Sequence, residues 1–198
     1  MHERIVGLYE ENAAAWDGLR GPDARIEGEW LERFAARLPA LGRVLDIGCG
    51  SGRPIARWLI GRGFDLTGVD SSTSLVAMCR ERFPGSAWHV ADMRGLALGE
   101  LFDGIVAWHS LFHLSPDDQR PMFARFAAHS KPGSLLMFTS GSEAGVRIGE
   151  WQGEPLYHAS LDPREYRRLL ELSGFEVIEH QARDPECGDA TVWLARRI

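Results

Sequence analysis

Three glycines separated by single residues follow a short apolar run, about a quarter of the way along the chain. The apolar run, Val44 to Ile47, predicts a buried strand, and Gly48, Gly50 and Gly52 come directly after it. Glycine adopts backbone angles that other residues avoid and lets the main chain approach a ligand closely. A strand that ends in such a loop and leads into a helix places backbone N–H groups around a ligand at the carboxyl edge of a sheet. The spacing therefore predicts a ligand-binding loop at these glycines.

Two carboxylates near this loop suit a nucleoside ligand with a cationic end. Asp70 ends the next predicted strand, about 20 residues after the glycines. A carboxylate at that point can accept hydrogen bonds from both ribose hydroxyls. Asp46, just before the first glycine, could hold the loop or face the ammonium group of an amino acid. A dinucleotide loop would have glycine at position 53, where this chain has Arg53, so a nicotinamide cofactor is less favoured.

Five motifs in chain order, over roughly residues 42–140, resemble those of class I S-adenosylmethionine-dependent methyltransferases. They are Asp46 to Gly52, Gly68 to Ser72, Ala91 to Met93, Phe102 to Ala107 and Lys131 to Met137. The tail, from Tyr157 through Gly174 and Phe175, resembles that of small bacterial methyltransferases whose substrates are poorly defined. The resemblance implies S-adenosyl-L-methionine as cofactor, held by Asp46, Gly48, Cys49, Gly50, Gly52, Asp70, Ser71, Asp92, Met93 and Trp108. Cys49 is expected to pack in the loop and not to act as a nucleophile, because the sequence shows no activating base beside it.

Two histidines follow the fourth predicted strand, where the methyl group of such a cofactor should project. His109 and His113 are four residues apart and would share a helical face. A histidine titrates near neutrality and could take a proton from a hydroxyl, a thiol or a heteroaromatic nitrogen. No Cys, His or Asp cluster with metal-ligand spacing surrounds the pair, so we expect no metal site. We take His113 and His109 as candidate catalytic residues, while acceptor contact and structural packing stay open for both.

Aromatic and polar side chains outside the glycine region are candidates for binding the methyl acceptor. Two come from the first predicted helix and four from the segment between the fifth strand and the last helix: Tyr9, Trp16, Arg147, Trp151, Tyr157 and His158. Glycines at 141, 145, 149 and 153 predict that this later segment is a mobile loop. Ordinary packing is an equally open role for these aromatic rings.

The alternation of predicted strands and helices indicates an α/β fold. The prediction is a Rossmann-like, seven-stranded, mostly parallel sheet with helices on both faces, an antiparallel last strand and an N-terminal helical lid. Helices are predicted over 3–16 and 24–38, and strands near 43–47, 65–70, 86–90, 103–108, 134–139, 175–180 and 190–196. Asp162, Pro163 and Glu165 predict the start of the last helix, which should end at Ser173 and Gly174. The reversed final strand is what the resemblance implies.

Composition fits one enzyme domain and argues against several partner classes. The 198 residues carry 44% apolar residues and a net charge of −6, with three scattered cysteines. We expect a single domain over 1–198: a helical cover over 1–40, a cofactor-binding core over 41–140, and a substrate-side loop, last helix and terminal hairpin over 141–198. The acidic balance, with no Lys/Arg run, disfavours nucleic acid, and no apolar stretch is long enough for a membrane span. Unpaired cysteines favour a reducing cytoplasm, and the oligomeric state stays open.

The predicted function is methyl transfer from S-adenosylmethionine to an O, N or S atom of a small molecule. Three alternatives stay open: a protein or tRNA methyltransferase, a nicotinamide-dependent oxidoreductase, and a noncatalytic module that binds adenosylmethionine. The glycine spacing and the lack of a clear catalytic Tyr/Lys pair oppose the oxidoreductase. Turnover to S-adenosylhomocysteine with any acceptor would exclude the noncatalytic module.

Overall fold

Seven strands form the central sheet of the computed structural model, which describes residues 4–198. They are β1 (Arg43–Ile47), β2 (Asp65–Asp70), β3 (Ala87–Val90), β4 (Phe102–Ala107), β5 (Ser130–Ser140), β8 (Phe175–Asp184) and β9 (Ala190–Arg197), and a separate pair contains β6 (Gly145–Trp151) and β7 (Glu154–Ser160). The order across the sheet is β3-β2-β1-β4-β5-β9-β8. The first five strands pair in parallel, and β9 runs antiparallel to both β5 and β8. The predicted fold class is confirmed.

Seven α-helices accompany the strands within the described residues. They are α1 (Ile5–Glu11), α2 (Ala13–Arg20), α3 (Gly28–Ala35), α4 (Ile55–Gly61), α5 (Thr73–Arg82), α6 (Pro116–Ala128) and α7 (Pro163–Leu172). Ser72, Ser115 and Asp162 cap α5, α6 and α7, each accepting a hydrogen bond from a backbone N–H of the first turn. No helix in residues 4–198 has the length and apolar character needed to cross a membrane.

The sheet is buried on both faces because apolar side chains alternate along its strands. Val44 packs on one face with α3, α4 and α5, while the adjacent Leu45 packs on the other face with α6 and α7. Each large side chain buried in these layers contributes roughly 1.5–3 kcal/mol. Gly104 of β4 leaves room for α3, since a Cβ there would lie 2.5 Å from the ring of Phe34. Helix α3 therefore packs in the layer on the sheet, and α1 and α2 form the N-terminal cover.

The first predicted helix is divided in two and extends further than expected. Position 3 lies outside the described residues, and the rest of the predicted segment breaks at Asn12. The Asn12 side-chain amide donates to the carbonyl of Leu8 at 2.9 Å, a local bond that competes with continuation of the helix. The second half continues to Arg20, where Gly21, with φ +65°, ends it.

The predicted loop after β5 is instead a β-hairpin. Strands β6 and β7 pair antiparallel, with Arg147 opposite His158 and Trp151 opposite Glu154. The turn between them contains Gln152 and Gly153, both with positive φ (54° and 78°), as a two-residue turn with the right-handed twist of a hairpin requires.

Candidate active site

A pocket lies at the carboxyl edge of the sheet, between β1 and β4, where the strand order reverses direction. Open α/β sheets bind their ligands at this point. The pocket encloses about 1040 Å³ of space not filled by protein, its open mouth included. Most of the predicted cofactor and catalytic residues line it, together with two of the aromatic candidates: Asp46, Gly48, Cys49, Gly50, Asp70, Ser71, Asp92, Met93, Trp108, His109, His113, Tyr9 and Trp16.

The glycine loop is held in shape by β2. The backbone N–H groups of Gly48 and Cys49 both donate to the carbonyl of Val69, at 2.8 and 3.1 Å. Gly50 has φ +55°, and a Cβ there would lie 3.2 Å from Nε1 of Trp16. Gly52 does not line the pocket, because the site of its missing side chain faces Phe83 at 2.9 Å. Gly52 therefore provides room for helix packing, while Gly48 and Gly50 shape the pocket wall.

Asp70 has the geometry expected of a ribose ligand. Its Oδ2 accepts the Gly50 N–H at 2.8 Å, and its Oδ1 accepts the Ser72 N–H at 2.9 Å. A carboxylate has about four lone-pair sites, so Asp70 keeps acceptor capacity for a further donor. Burial raises the pKa of Asp70, and the backbone hydrogen bonds oppose that rise. The structure thus shows a buried carboxylate with two fixed oxygens on a pocket wall.

Three residues that line the pocket each have a buried polar atom without a hydrogen-bond partner within residues 4–198. The atoms are Oδ2 of Asp46, Nε of Arg53 and the indole Nε1 of Trp108. Burial raises the pKa of Asp46 to about 7, the charge of Asp70 adds to this rise, and Arg20 opposes it. Buried polar groups are nearly always paired in folded proteins, so an unmatched acceptor and an unmatched donor in one pocket indicate a polar ligand. A cationic group fits Asp46 best, since it would compensate a buried carboxylate.

Asp92 and Met93, two of the predicted cofactor-binding residues, line the pocket next to each other in the chain. Asp92 follows β3 and is bound by the guanidinium of Arg94, whose Nη2 is 2.6 Å from Oδ2. This hydrogen bond lowers the pKa of Asp92. Met93, next in the chain, lines the pocket with an apolar side chain suited to a planar ring.

His113 is hydrogen-bonded through both ring nitrogens. Its Nδ1 lies 3.0 Å from the carbonyl oxygen of Tyr157, and its Nε2 lies 3.0 Å from the hydroxyl of Tyr9. Since a carbonyl only accepts, Nδ1 carries the hydrogen, and Nε2 accepts from the Tyr9 hydroxyl. Burial lowers the pKa of His113 to about 4. The imidazole is therefore neutral near pH 7 and fixes the Tyr9 hydroxyl in the pocket.

His109 is held by its backbone. Its N–H donates to Thr139 Oγ1 at 2.8 Å, and its φ of +49° is uncommon for a residue other than glycine. The ring lies between Trp108 and Phe112, with centroids 5.5 and 5.7 Å away. Burial, with smaller effects from Arg20 and His113, lowers the pKa of His109 to about 3. His109 is thus a second neutral imidazole on the pocket wall.

Three of the predicted acceptor-binding aromatic residues form one cluster over the pocket. Tyr9 stacks on Trp151 with centroids 5.4 Å apart, and Trp16 contacts both rings edge-on at 5.0 and 5.8 Å. The cluster joins the N-terminal cover to the β6–β7 hairpin. It closes the side of the pocket that contains His113.

The other three acceptor-binding candidates lie behind this wall. Arg147 and His158 line a separate cavity of about 550 Å³, with Phe112 and Ser140 to Gly145. The ring of His158 is 4.9 Å from that of His113, so one layer of rings divides the two cavities. The ring of Tyr157 is buried, and its carbonyl orients His113.

The cover is attached to helix α5 by two sets of polar contacts. Glu10 of α1 accepts hydrogen bonds from the hydroxyls of Ser72 and Ser74, at 2.6 and 2.7 Å, and these bonds lower its pKa. Asp17 of α2 accepts both ends of the Arg82 guanidinium, at 2.5 and 2.6 Å. Both sets attach to α5, the helix that follows Asp70.

Arg20 is a pocket residue that sequence reasoning missed. It lines the pocket from the last turn of α2, with its guanidinium 5.6 Å from the ring of Trp16. The available signal was its position one helical turn after Trp16, which places both on one face. The predicted helix ended at residue 16, so Arg20 was not assigned to the helical face that contains Trp16. Ser110 was also missed; its hydroxyl donates to the carbonyl of Ile47 at 2.7 Å and fills the space beside Gly48.

A family model described as a methyltransferase domain matches residues 22–180. The chain belongs to this methyltransferase family. The magnesium-protoporphyrin O-methyltransferase of Rhodobacter capsulatus is 40% identical to it over 170 residues, which are 76% of this chain and 74% of that enzyme. An O-methyltransferase of Penicillium expansum is 31% identical over 192 residues, 88% of this chain and 65% of that enzyme. The methyltransferase spans between about half and three quarters of the length of the curated relatives that it matches.

Solved structures support the fold of the methyltransferase. The structure of an amino pentose methyltransferase from Micromonospora echinaspora, with S-adenosylmethionine bound, has a TM-score of 0.73 at 20% identity. The match covers 93% of this chain and 95% of that one. The predicted family and fold are confirmed.

Proposed function

We propose that the methyltransferase transfers a methyl group to an oxygen or nitrogen atom of a small molecule. The observation that carries this proposal is the wall that α1 and α2 form over the pocket, with Trp151 of the β6–β7 hairpin packed against Tyr9 and Trp16. An acceptor must fit between the cofactor and the Tyr9, Trp16 and Trp151 cluster, which suits a small molecule with an apolar or planar part. The relatives named above act, by their names, on a magnesium-protoporphyrin and an amino pentose, which supports O and N acceptors on small molecules.

The residues of the pocket match the functional groups of S-adenosylmethionine. The two oxygens of Asp70 suit the ribose hydroxyls, and the unmatched Oδ2 of Asp46 suits the ammonium group. Gly48 and Gly50 let the backbone approach the amino-acid end, and Met93 offers an apolar surface to adenine. When bound, the cofactor supplies an electrophilic methyl group on a sulfonium.

On the side of the pocket where the methyl acceptor would bind, the protein offers one fixed polar atom, the hydroxyl oxygen of Tyr9. The hydrogen of the Tyr9 hydroxyl is committed to Nε2 of His113, so the Tyr9 oxygen is free to accept a hydrogen bond from an acceptor O–H or N–H. We assign Tyr9 the contact with the acceptor and His113 the positioning of Tyr9. Both histidines are neutral near pH 7, and each has a lowered pKa that makes it a weak base. Holding the nucleophile in line with the methyl group is therefore the main contribution of the site.

A screen with methyl-labelled S-adenosylmethionine tests the proposal. The panel contains phenols, carboxylic acids, amino sugars, heteroaromatic amines and thiols, with tRNA and a protein mixture as separate arms. We expect label in at least one small O or N acceptor, with S-adenosylhomocysteine formed in equal amount by mass spectrometry. Label found only in thiols, tRNA or protein would overturn the proposal, as would turnover that persists after Tyr9, Trp16 and Trp151 are all replaced by alanine in a folded variant.

A further inference from the structure

Gln119 is a fully buried polar side chain in the first turn of α6. Both hydrogens of its amide are used, because Nε2 donates to the carbonyl of Leu114 at 3.0 Å and to the carbonyl of Ala159 at 2.9 Å. Its Oε1 accepts the hydroxyl of Tyr166 at 2.6 Å. Since carbonyls only accept, the two of them fix which end of the amide carries the nitrogen. The Gln119 amide is therefore a hydrogen-bonded bridge with one orientation.

The two carbonyls that Gln119 bridges lie on either side of the contact that orients His113. Leu114 directly follows His113 in the short turn after β4, and it lines the pocket. Ala159 lies two residues after Tyr157 in β7, and the Tyr157 carbonyl accepts the Nδ1 hydrogen of His113 at 3.0 Å. Carbonyls two residues apart point to the same edge of a strand. His113 and Gln119 thus bind one edge of β7, an edge that pairs with no other strand in residues 4–198.

We infer that Gln119 is a positioning residue for methyl transfer, because it holds β7 in register against His113. The register decides which β7 carbonyl meets Nδ1 of His113. That contact keeps the hydrogen on Nδ1 and leaves Nε2 to accept the hydroxyl of Tyr9. Without the amide, two carbonyls in the interior lack donors, and the edge of β7 moves to satisfy them. The inference deepens the proposed function, since Gln119 acts through the Tyr9–His113 pair.

The tautomer of His113 tests this role without cofactor or acceptor. Nitrogen NMR of the isotope-labelled full chain shows which ring nitrogen carries the hydrogen, and His113→Gln assigns the signals. We expect a single tautomer in the wild type, with the hydrogen on Nδ1. Gln119→Met keeps the length of the side chain but removes the amide. It should populate both tautomers and make the Nδ1 hydrogen exchange with solvent at least about tenfold faster, and wild-type signals would overturn the inference.

Tyr166→Phe is the matched control, because it removes a hydroxyl at the other end of the same amide. This variant loses the hydrogen bonds of Tyr166 to Gln119 and to the N–H of Leu161, so its melting temperature should fall. Both carbonyl contacts of the amide stay in place, so we expect the wild-type tautomer. A shift as large as in Gln119→Met would show that the network only packs. If Gln119→Met does not fold, Gln119→Glu, whose protonated acid keeps one donor, should show an intermediate tautomer population, and a wild-type population there would overturn the inference.

Turnover separates this inference from the proposed function. With the acceptor found in the screen, Gln119→Met should lower turnover on the order of tenfold, because the Tyr9 oxygen is misplaced. Its affinity for S-adenosylhomocysteine should match the wild type. In the Tyr9→Phe background the same substitution should change turnover by less than about twofold, since the pair is already broken. Equal losses in both backgrounds would overturn the positioning role. The absence of any acceptor contradicts the proposed function, whereas the tautomer still decides the role of Gln119.

Discussion

At the scale of single residues, Asp70 is the side chain whose geometry most closely matches the cofactor. In Asp70→Asn, the amide NH₂ replaces a carboxylate oxygen that now accepts a backbone N–H, so two donors face each other. The remaining oxygen is uncharged and forms weaker hydrogen bonds with the ribose hydroxyls. We expect cofactor affinity to fall by about ten- to a hundredfold. Calorimetry with S-adenosylhomocysteine measures this, and Asp65→Asn, at the exposed opposite end of β2, should bind normally. Equal affinities in the two variants would remove Asp70 from the site.

Asp46 should make cofactor binding depend on pH. Its pKa of about 7 in the free protein means that much of the population is protonated at pH 6 and lacks the charge that an ammonium group requires. Affinity should therefore rise as the pH rises from 6 to 7.5, approaching about tenfold per pH unit well below the pKa. Calorimetry across this range checks the slope. Asp46→Asn should bind more weakly and show a flat profile, and a slope retained in that variant would assign the titration to another group.

Tyr9 and His113 should affect turnover more than binding. Tyr9→Phe keeps the ring cluster but removes the hydroxyl that donates to His113. Once an acceptor is known, we expect turnover to fall by roughly ten- to a hundredfold, the effect of losing one oriented polar contact. Cofactor affinity and melting temperature serve as controls and should change little. His113→Gln should resemble Tyr9→Phe; a loss confined to melting temperature would show that the pair only packs.

The sequence predicted the position of a site residue in the fold where a short motif specifies that position. The spacing that places Asp46, Gly48 and Asp70 at strand ends is local, so the sequence shows it directly. Arg20 and the Tyr9–His113 contact depend on how the first twenty residues fold back over the sheet, and no local pattern encodes that. The separation of Arg147 and His158 into a second cavity has the same origin, because it depends on the hairpin.

At the scale of elements, α1 is hydrogen-bonded to the residues that follow Asp70, the proposed ribose ligand. Glu10 binds Ser72 and Ser74, and Ser72 donates its N–H to Asp70. Glu10→Gln removes the charge from this contact, so we expect α1 to detach more often and cofactor dissociation to become about threefold to tenfold faster. Stopped-flow release of S-adenosylhomocysteine measures the rate. Glu11→Gln, at the exposed neighbouring position, is the control and should release the cofactor at the wild-type rate.

Strands were easier to predict than the cover and the hairpin. β1, β2 and β4 are short, largely apolar segments, a pattern that burial on both faces produces. Gly48 follows β1, and β2 ends in Asp70. The β6–β7 hairpin has three glycines among its residues and is largely exposed along β6, so its apolar alternation is weak. The sequence feature that could have predicted the hairpin is its two-residue turn, Gln152 and Gly153. The helix breaks at Asn12, where the side chain hydrogen-bonds to the carbonyl of Leu8. The spacing of apolar residues contains no information about such a bond.

At the scale of the whole molecule, buried neutral histidines should make the fold sensitive to acid. His109 and His113 have pKa values of about 3 and 4 in the folded protein, against about 6.5 when unfolded. The unfolded chain therefore binds more protons below pH 6.5, and the stability that each neutral histidine provides is lost as the pH falls towards its folded pKa. His113→Gln should lose less stability than the wild type between pH 7 and 4.5. Urea unfolding at several pH values measures the difference, and parallel losses would contradict the assignment.

Trp151 lies in the β6–β7 hairpin. The two strands of this hairpin pair only with each other and not with any strand of the main sheet. Changes in its length or composition therefore leave the pairing of the cofactor-binding strands intact. In evolutionary terms, β6 and the turn can vary without disturbing the main sheet, whereas β7 is constrained because its carbonyls accept hydrogen bonds from His113 and Gln119. Grafting this hairpin from a relative offers a route to a new acceptor range on an unchanged cofactor site.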